Sequence, residues 1–112
     1  MEEQTTLNKI TIRNEREIRI IHLDYLYAVT IENYLCTFFI ENEKKFICTN
    51  SLKELLFKLP SNFIRINRSC IINLEKVESI DLKNNEILMP SNLKFMISIR
   101  NKKRLKDQLL LN

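Results

Sequence analysis

The side chains best suited to covalent or metal chemistry are few and badly spaced for it. The only histidine is His22, and the three cysteines, Cys36, Cys48 and Cys70, stand 12 and 22 residues apart with no close pair. Neither a zinc-binding pattern nor a disulfide framework fits that spacing. A Ser/His/Asp or Cys/His site would have to be built around His22, and no nucleophile motif surrounds it. The thiols read as small buried apolar groups, and no paired-carboxylate, metal or nucleophile constellation points to an enzyme. The chemistry the sequence does supply is cationic. Between Ser91 and Lys106 stand six basic residues, Lys94, Arg100, Lys102, Lys103, Arg104 and Lys106, and no acid. A polyanion is the natural partner of such a run, while a solvated basic helix face is the plainer reading of the same residues.

Length and composition narrow the field. With 112 residues, 45% hydrophobic and 29% charged, the chain fits one globular domain over residues 1–112. A chain of this size buries roughly 65% of its unfolded surface, enough to stand without disulfides or a structural metal. No run approaches the roughly 18 consecutive apolar residues of a membrane span, and Met1 to Asn8 is acidic and polar with no signal-peptide core, so a cytoplasmic location without membrane contact is expected. Glycine is absent altogether. Phosphate loops and dinucleotide fingerprints, which need backbone without a Cβ close to phosphate, are thereby excluded, and no cofactor is implied. Turns must then use the 13 asparagines, and Asn14, Asn33, Asn42, Asn84 and Asn85 all fall between apolar runs. The net charge of +4 is uneven: residues 1–50 carry six Lys/Arg against eight Asp/Glu, residues 51–112 twelve against six.

The elements that must hold these residues are mostly short strands. Lys9 to Arg13 places Ile10 and Ile12 on one face, Asn14 and Glu15 turn the chain, and Glu17 to Ile21 returns with Ile18 and Ile20 inward. Tyr25 to Ile31 aligns Tyr25, Tyr27, Val29 and Ile31; Glu32 and Asn33 turn, and Tyr34 to Ile40 is β-branched and aromatic. After Asn42 and Glu43, Lys45 to Thr49 pairs back, leaving a sheet apolar on one side. Ser51 and Glu54 form a capping box, Leu52, Leu55, Leu56 and Leu59 make one helical stripe, and Pro60 ends it. Strands resume over Phe63 to Ile66, Ser69 to Leu74, Val77 to Leu82, Glu86 to Met89 and Lys94 to Ser98. A helix from Ile99 to about Leu110, with Ser98 as N-cap, closes the chain with Leu105 and Leu109 inward and Arg100, Lys103 and Arg104 on its other side.

The stretch Asn62-Phe63-Ile64-Arg65-Ile66-Asn67-Arg68-Ser69-Cys70-Ile71-Ile72-Asn73, preceded by Ser51-Leu52-Lys53-Glu54-Leu55 and Leu59-Pro60, resembles the LytTR-type DNA-binding domain of bacterial response regulators. Ile20 to Val29 and Glu32-Asn33-Tyr34 look like that family's early strands. Val77-Glu78-Ser79-Ile80 and Ile97-Ser98-Ile99-Arg100 are similar to its closing strands and final basic stretch, so the likeness spans roughly Ile10 to Leu109. The resemblance implies a mainly β fold, an elongated arrangement of small antiparallel sheets with one inserted α-helix at about 51–59 and a C-terminal helix. It implies sequence-specific binding of double-stranded DNA by loops entering the major groove, in a bacterial transcription regulator of a two-component system. Two copies would sit on direct repeats in a promoter, as a homodimer on DNA. A receiver domain or sensor-kinase pathway would act upstream; only about nine residues precede the first strand, so no receiver domain is expected within this chain.

Carried over by position, the family's DNA-facing sites fall at Asn33 and Tyr34, at Asn67, Arg68 and Ser69, and at Arg100, Asn101 and Lys102. The chemistry agrees: a guanidinium can bond the O6 and N7 of guanine, an asparagine amide can do the same with adenine, and lysines and serines hold phosphates without reading sequence. Plainer roles stand beside these. Asn67 equally suits turn geometry, Lys102 a solvated surface and Tyr34 a packed ring; Arg65 suits a structural pair as well as a DNA contact, and Asn73 reads as structural. Cys70, beside the Arg68 turn, raises the question of redox-sensitive binding. Ile99 stands where the family commonly has a second arginine, so one contact is expected to be missing. A protein-interaction module that kept the fold without DNA binding is the alternative function.

Overall fold

A computed structural model describes residues 8–42 and 45–110; the expected turn residue Glu43 and the polar start Met1 to Leu7 lie outside the described residues. Ten strands and two α-helices follow in the order β1 (Lys9–Arg13), β2 (Ile18–His22), β3 (Leu26–Glu32), β4 (Leu35–Ile40), β5 (Phe46–Thr49), α1 (Leu52–Lys58), β6 (Phe63–Asn67), β7 (Cys70–Asn73), β8 (Ser79–Asp81), β9 (Glu86–Met89), β10 (Leu93–Met96) and α2 (Ile99–Leu110). Each lies within two residues of its expected bounds. All pairings are antiparallel, in three sheets: β1-β2, β10-β9-β8, and a central β5-β4-β3-β7-β6. The molecule is a slab of 42 × 41 × 25 Å.

The central sheet is packed on both faces, not on one as the strand alternation suggested. The β1-β2 hairpin and α1 cover one face, around Ile10, Ile12, Leu26, Val29, Phe38, Leu55 and Phe63. The β8–β10 sheet and α2 cover the other, around Tyr27, Ala28, Ile66, Ile72, Ile87, Met89 and Leu105. The continuous run Leu26-Tyr27-Ala28-Val29 is the local cause. A bulge between Leu26 and Ala28 puts Tyr27 and Ala28 on the same side, and Tyr25 lies in a short 3-10 turn before the strand, so the expected Tyr25/Tyr27/Val29/Ile31 alignment does not form.

Strand β2 turns inward the face opposite to the one the alternation suggested. Ile18 and Ile20 face solvent, 68% and 54% exposed, and Ile21 is the buried residue. Register explains the phase: Ile10 and Ile12 point inward, so their partners Ile21 and Arg19 do too. Arg19 fills its inward place by laying its guanidinium 5.1 Å over the Phe46 ring while bonding Glu17 at 3.0 Å.

Local chemistry otherwise follows sequence. Ser51 Oγ accepts from the Glu54 amide at 3.0 Å, although the reciprocal bond of a full capping box is made by Asn50, whose Oδ1 accepts from Ser51 N at 2.8 Å. Asn73, 1% exposed, donates to the carbonyls of Leu23 and Leu26 and accepts from Asn62 Nδ2 and Glu75 N. It joins the end of β7 to the start of β3. Each outer strand of the central sheet takes a bond from a neighbouring element: Asn14 Nδ2 donates to Ile47 O on β5, and Ser98 N to Ile66 O on β6.

Candidate nucleic-acid interface

Three segments distant in sequence meet at one end of the central sheet. Because β3 runs toward this end and β7 starts from it, the β3-β4 turn lies beside the β6-β7 turn, and Ile31 N donates to Ser69 O at 2.9 Å. The bond from Ser98 N to Ile66 O, also 2.9 Å, sets the start of α2 against the same turn.

The first segment is the turn at Asn33 and Tyr34, with φ of 50° and 72°. Two successive positive φ values match the twist of a two-residue hairpin. Asparagine takes that conformation readily, whereas an aromatic residue pays in steric strain. The Tyr34 ring is 77% exposed, so no packing within the chain offsets the cost.

In the second segment, the side chains of Arg65 and Asn67 are held within the chain and that of Arg68 is not. Asn67 Oδ1 accepts from Ser69 N at 2.7 Å, and its Nδ2 donates to Met96 O at 2.6 Å, fastening the turn to the end of β10. Arg65 donates from Nε to Asn67 O at 3.3 Å and from Nη2 to Arg68 O at 2.7 Å. The Arg68 side chain is exposed, with no hydrogen bond or ion pair to any described residue.

The third segment is the first turn of α2. Asn101 donates from Nδ2 to Ile66 O and to Ser98 Oγ, and its Oδ1 accepts from Arg104 Nη2 at 3.1 Å. Arg104 Nη2 also reaches Arg65 O at 3.3 Å. Arg100 is exposed, as is Ile99 at 81%, and no acid lies in this first turn. A cation at the positive end of a helix is mildly unfavourable, and a bound anion would reverse the sign.

The expected site residues therefore divide. Arg68 and Arg100, with Asn67 and Asn101, line one open concavity of about 870 Å³ in which no carboxylate takes part. Arg65 and Arg104 line it as well. Sequence reasoning left Arg65 between two roles and counted Arg104 only as part of a basic face, because 39 residues separate them and their contact is tertiary. Asn67 and Asn101 have both ends of their amides engaged within the chain. Lys102 turns the other way: its Nζ donates to Leu82 O at 2.6 Å. There it lies near Asp81, whose carboxyl is held below its ordinary range chiefly by hydrogen bonds from Asn84, with a smaller contribution from the Lys102 charge.

The cysteines are inert by position. Cys70 is 3% exposed and burial pushes its thiol up to about 12; Cys36 is raised to about 11, again mainly by burial, and Cys48 in the same direction. A thiol so far from ionisation is a poor redox sensor, which counts against gating at Cys70.

Residues 16–110 match the LytTr DNA-binding domain family. The fold is similar to the solved LytTr DNA-binding domain of a protein described as a methyl-accepting/DNA response regulator from Bacillus cereus. That likeness has a TM-score of 0.78 at 18% identity, over 92% of this chain and 97% of the other. No curated protein matches the sequence. No described helix is long and apolar enough to cross a membrane.

Proposed function

The chain belongs to the LytTR DNA-binding domain family, and on that footing we propose that it reads promoter DNA in sequence-specific fashion, as the effector part of a cytoplasmic bacterial transcription regulator. The observation that carries the reading is the meeting of the Asn33–Tyr34 turn, the Arg68 turn and the start of α2 at one end of the molecule, with Arg68 and Arg100 exposed at the same acid-free concavity. Turns held on a two-sided sheet are rigid enough to present side chains to base edges. In this reading Arg68 and Arg100 each offer a guanidinium to guanine, Asn33 and Tyr34 enter the neighbouring stretch of groove, and Ser69 holds phosphate. Asn67, Asn101 and Lys102, whose polar atoms are engaged inside the chain, act behind them as positioning residues.

Two copies occupy direct repeats, as a homodimer on DNA, and a receiver domain or sensor kinase supplies the signal. A protein-interaction module on the same fold is the competing reading. The shared concavity of Arg68 and Arg100 favours DNA, and the turning away of Lys102 is the feature on the other side.

Selection of bound duplexes from a random pool tests the reading. Enrichment of a repeated motif, bound roughly a thousandfold more tightly than a scrambled duplex, is expected of a specific regulator. Equal, weak binding of motif and scramble would turn attention to protein partners.

A further inference from the structure

Arg65 and Arg104 hold their charges in a different way from Arg19 and Lys103, which are answered by the carboxylates of Glu17 and Asp107, both at 3.0 Å. Among the described residues Arg65 and Arg104 bond only to uncharged oxygens: Asn67 O and Arg68 O for the first, Arg65 O and Asn101 Oδ1 for the second. Those bonds fix each guanidinium without neutralising it. A guanidinium carries five N–H donors; Arg65 commits Nε and Nη2 and Arg104 only Nη2, so each keeps donors for another acceptor. Both line the concavity that also holds Arg68 and Arg100, and four like charges gathered there without a carboxylate repel one another until an anion enters.

From this geometry we infer that Arg65 and Arg104 form a preset clamp for one phosphate of the DNA backbone, seated between Arg68 and Arg100. The inference rests on the DNA-binding reading above and deepens it. A planar guanidinium suits a phosphodiester because two parallel N–H bonds match two of its oxygens, and side chains already ordered lose little entropy on binding. The bonds that orient the clamp run to the carbonyls of the Arg68 turn and to Asn101 beside Arg100. Seating a phosphate there therefore fixes the register of both candidate readers at once.

Arg104→Gln separates a clamp from a mere brace, since glutamine keeps an amide donor for Arg65 O and Asn101 Oδ1 but removes the charge. The variant and the wild type are titrated with the selected duplex over a salt series, and with duplexes in which each phosphate in turn is replaced by an uncharged methylphosphonate. The clamp predicts that the slope of log K on log salt falls by about one in Arg104→Gln, with base preference unchanged. It also predicts one or two adjacent positions where the neutral linkage weakens wild-type binding about tenfold, a penalty absent in the variant. If Arg104→Gln melts early, Arg104→Lys keeps the charge and is expected to retain the wild-type slope. A folded Arg104→Gln with an unchanged slope, and methylphosphonate penalties equal in both proteins, overturns the clamp alone. Failure of the wild type to bind any duplex overturns the DNA reading, and the clamp with it.

Discussion

Arg68 and Asn73 represent two opposite uses of a polar side chain. Asn73 is buried with four hydrogen bonds, so Asn73→Ala leaves carbonyls and amides without partners and is expected to lower stability by about 2 kcal/mol or more in denaturant melts, each stranded buried group costing about 1–3. Arg68 is exposed and unbonded among the described residues, so Arg68→Ala is expected to leave stability within about 0.5 kcal/mol. The same change should cost about 1–3 kcal/mol of DNA binding and relax preference at one base position, read by repeating the duplex selection with the variant. Cys70 carries a pH prediction. Its folded-state value of about 12 lies above the ordinary 9.0, so the neutral thiol stabilises the fold fully below pH 9 and that contribution is lost as pH rises from about 9 toward 12. Urea melts at pH 7 and 10.5 should differ in that direction, and thiol blockers at neutral pH should leave DNA affinity unchanged. The structural role of Asn73 was legible in sequence, as was the turn role of Asn67, which accepts from Ser69 N two residues on; its bond to Met96, 29 residues away, was not.

For the elements, alternation located strands better than it oriented them. Ile18-Arg19-Ile20-Ile21 offers an isoleucine to either face, and only pairing with Ile10 and Ile12, together with the Phe46 ring that takes Arg19, selects the phase. Helix α1 was legible throughout, since its cap, stripe and proline are local signals. Ser51→Ala should cost about 1 kcal/mol in thermal melts. The β3-β4 turn joins stability to function. Tyr34 sits at φ 72°, where glycine carries no steric penalty, so Tyr34→Gly should stabilise the domain by about 1 kcal/mol. If the tyrosine meets DNA, that gain comes with weaker binding of the selected duplex; a stabilised variant with unchanged affinity would remove Tyr34 from the interface.

On the scale of the whole molecule, a central sheet packed on both faces fixes where everything else lies. Its own β3-β4 and β6-β7 turns lie side by side at one end, where the start of α2 joins them, while the Tyr25, Glu41 and Leu74–Lys76 region forms the other. The basic second half of the sequence foretold a polyanion partner, but the concavity itself could not be read there. It joins Arg65 to Arg104 and Asn67 to Met96 through contacts that exist only once α2 and β10 have docked. Contact of this end with DNA is read by titrating the isotope-labelled domain with the selected duplex and following the amide NMR shifts. Shifts are expected to concentrate at Asn33–Tyr34, Asn67–Ser69 and Ile99–Asn101, with the opposite end unmoved. Shifts centred on Tyr25, Glu41 and Leu74–Lys76, with the Arg68 turn silent, would contradict that contact.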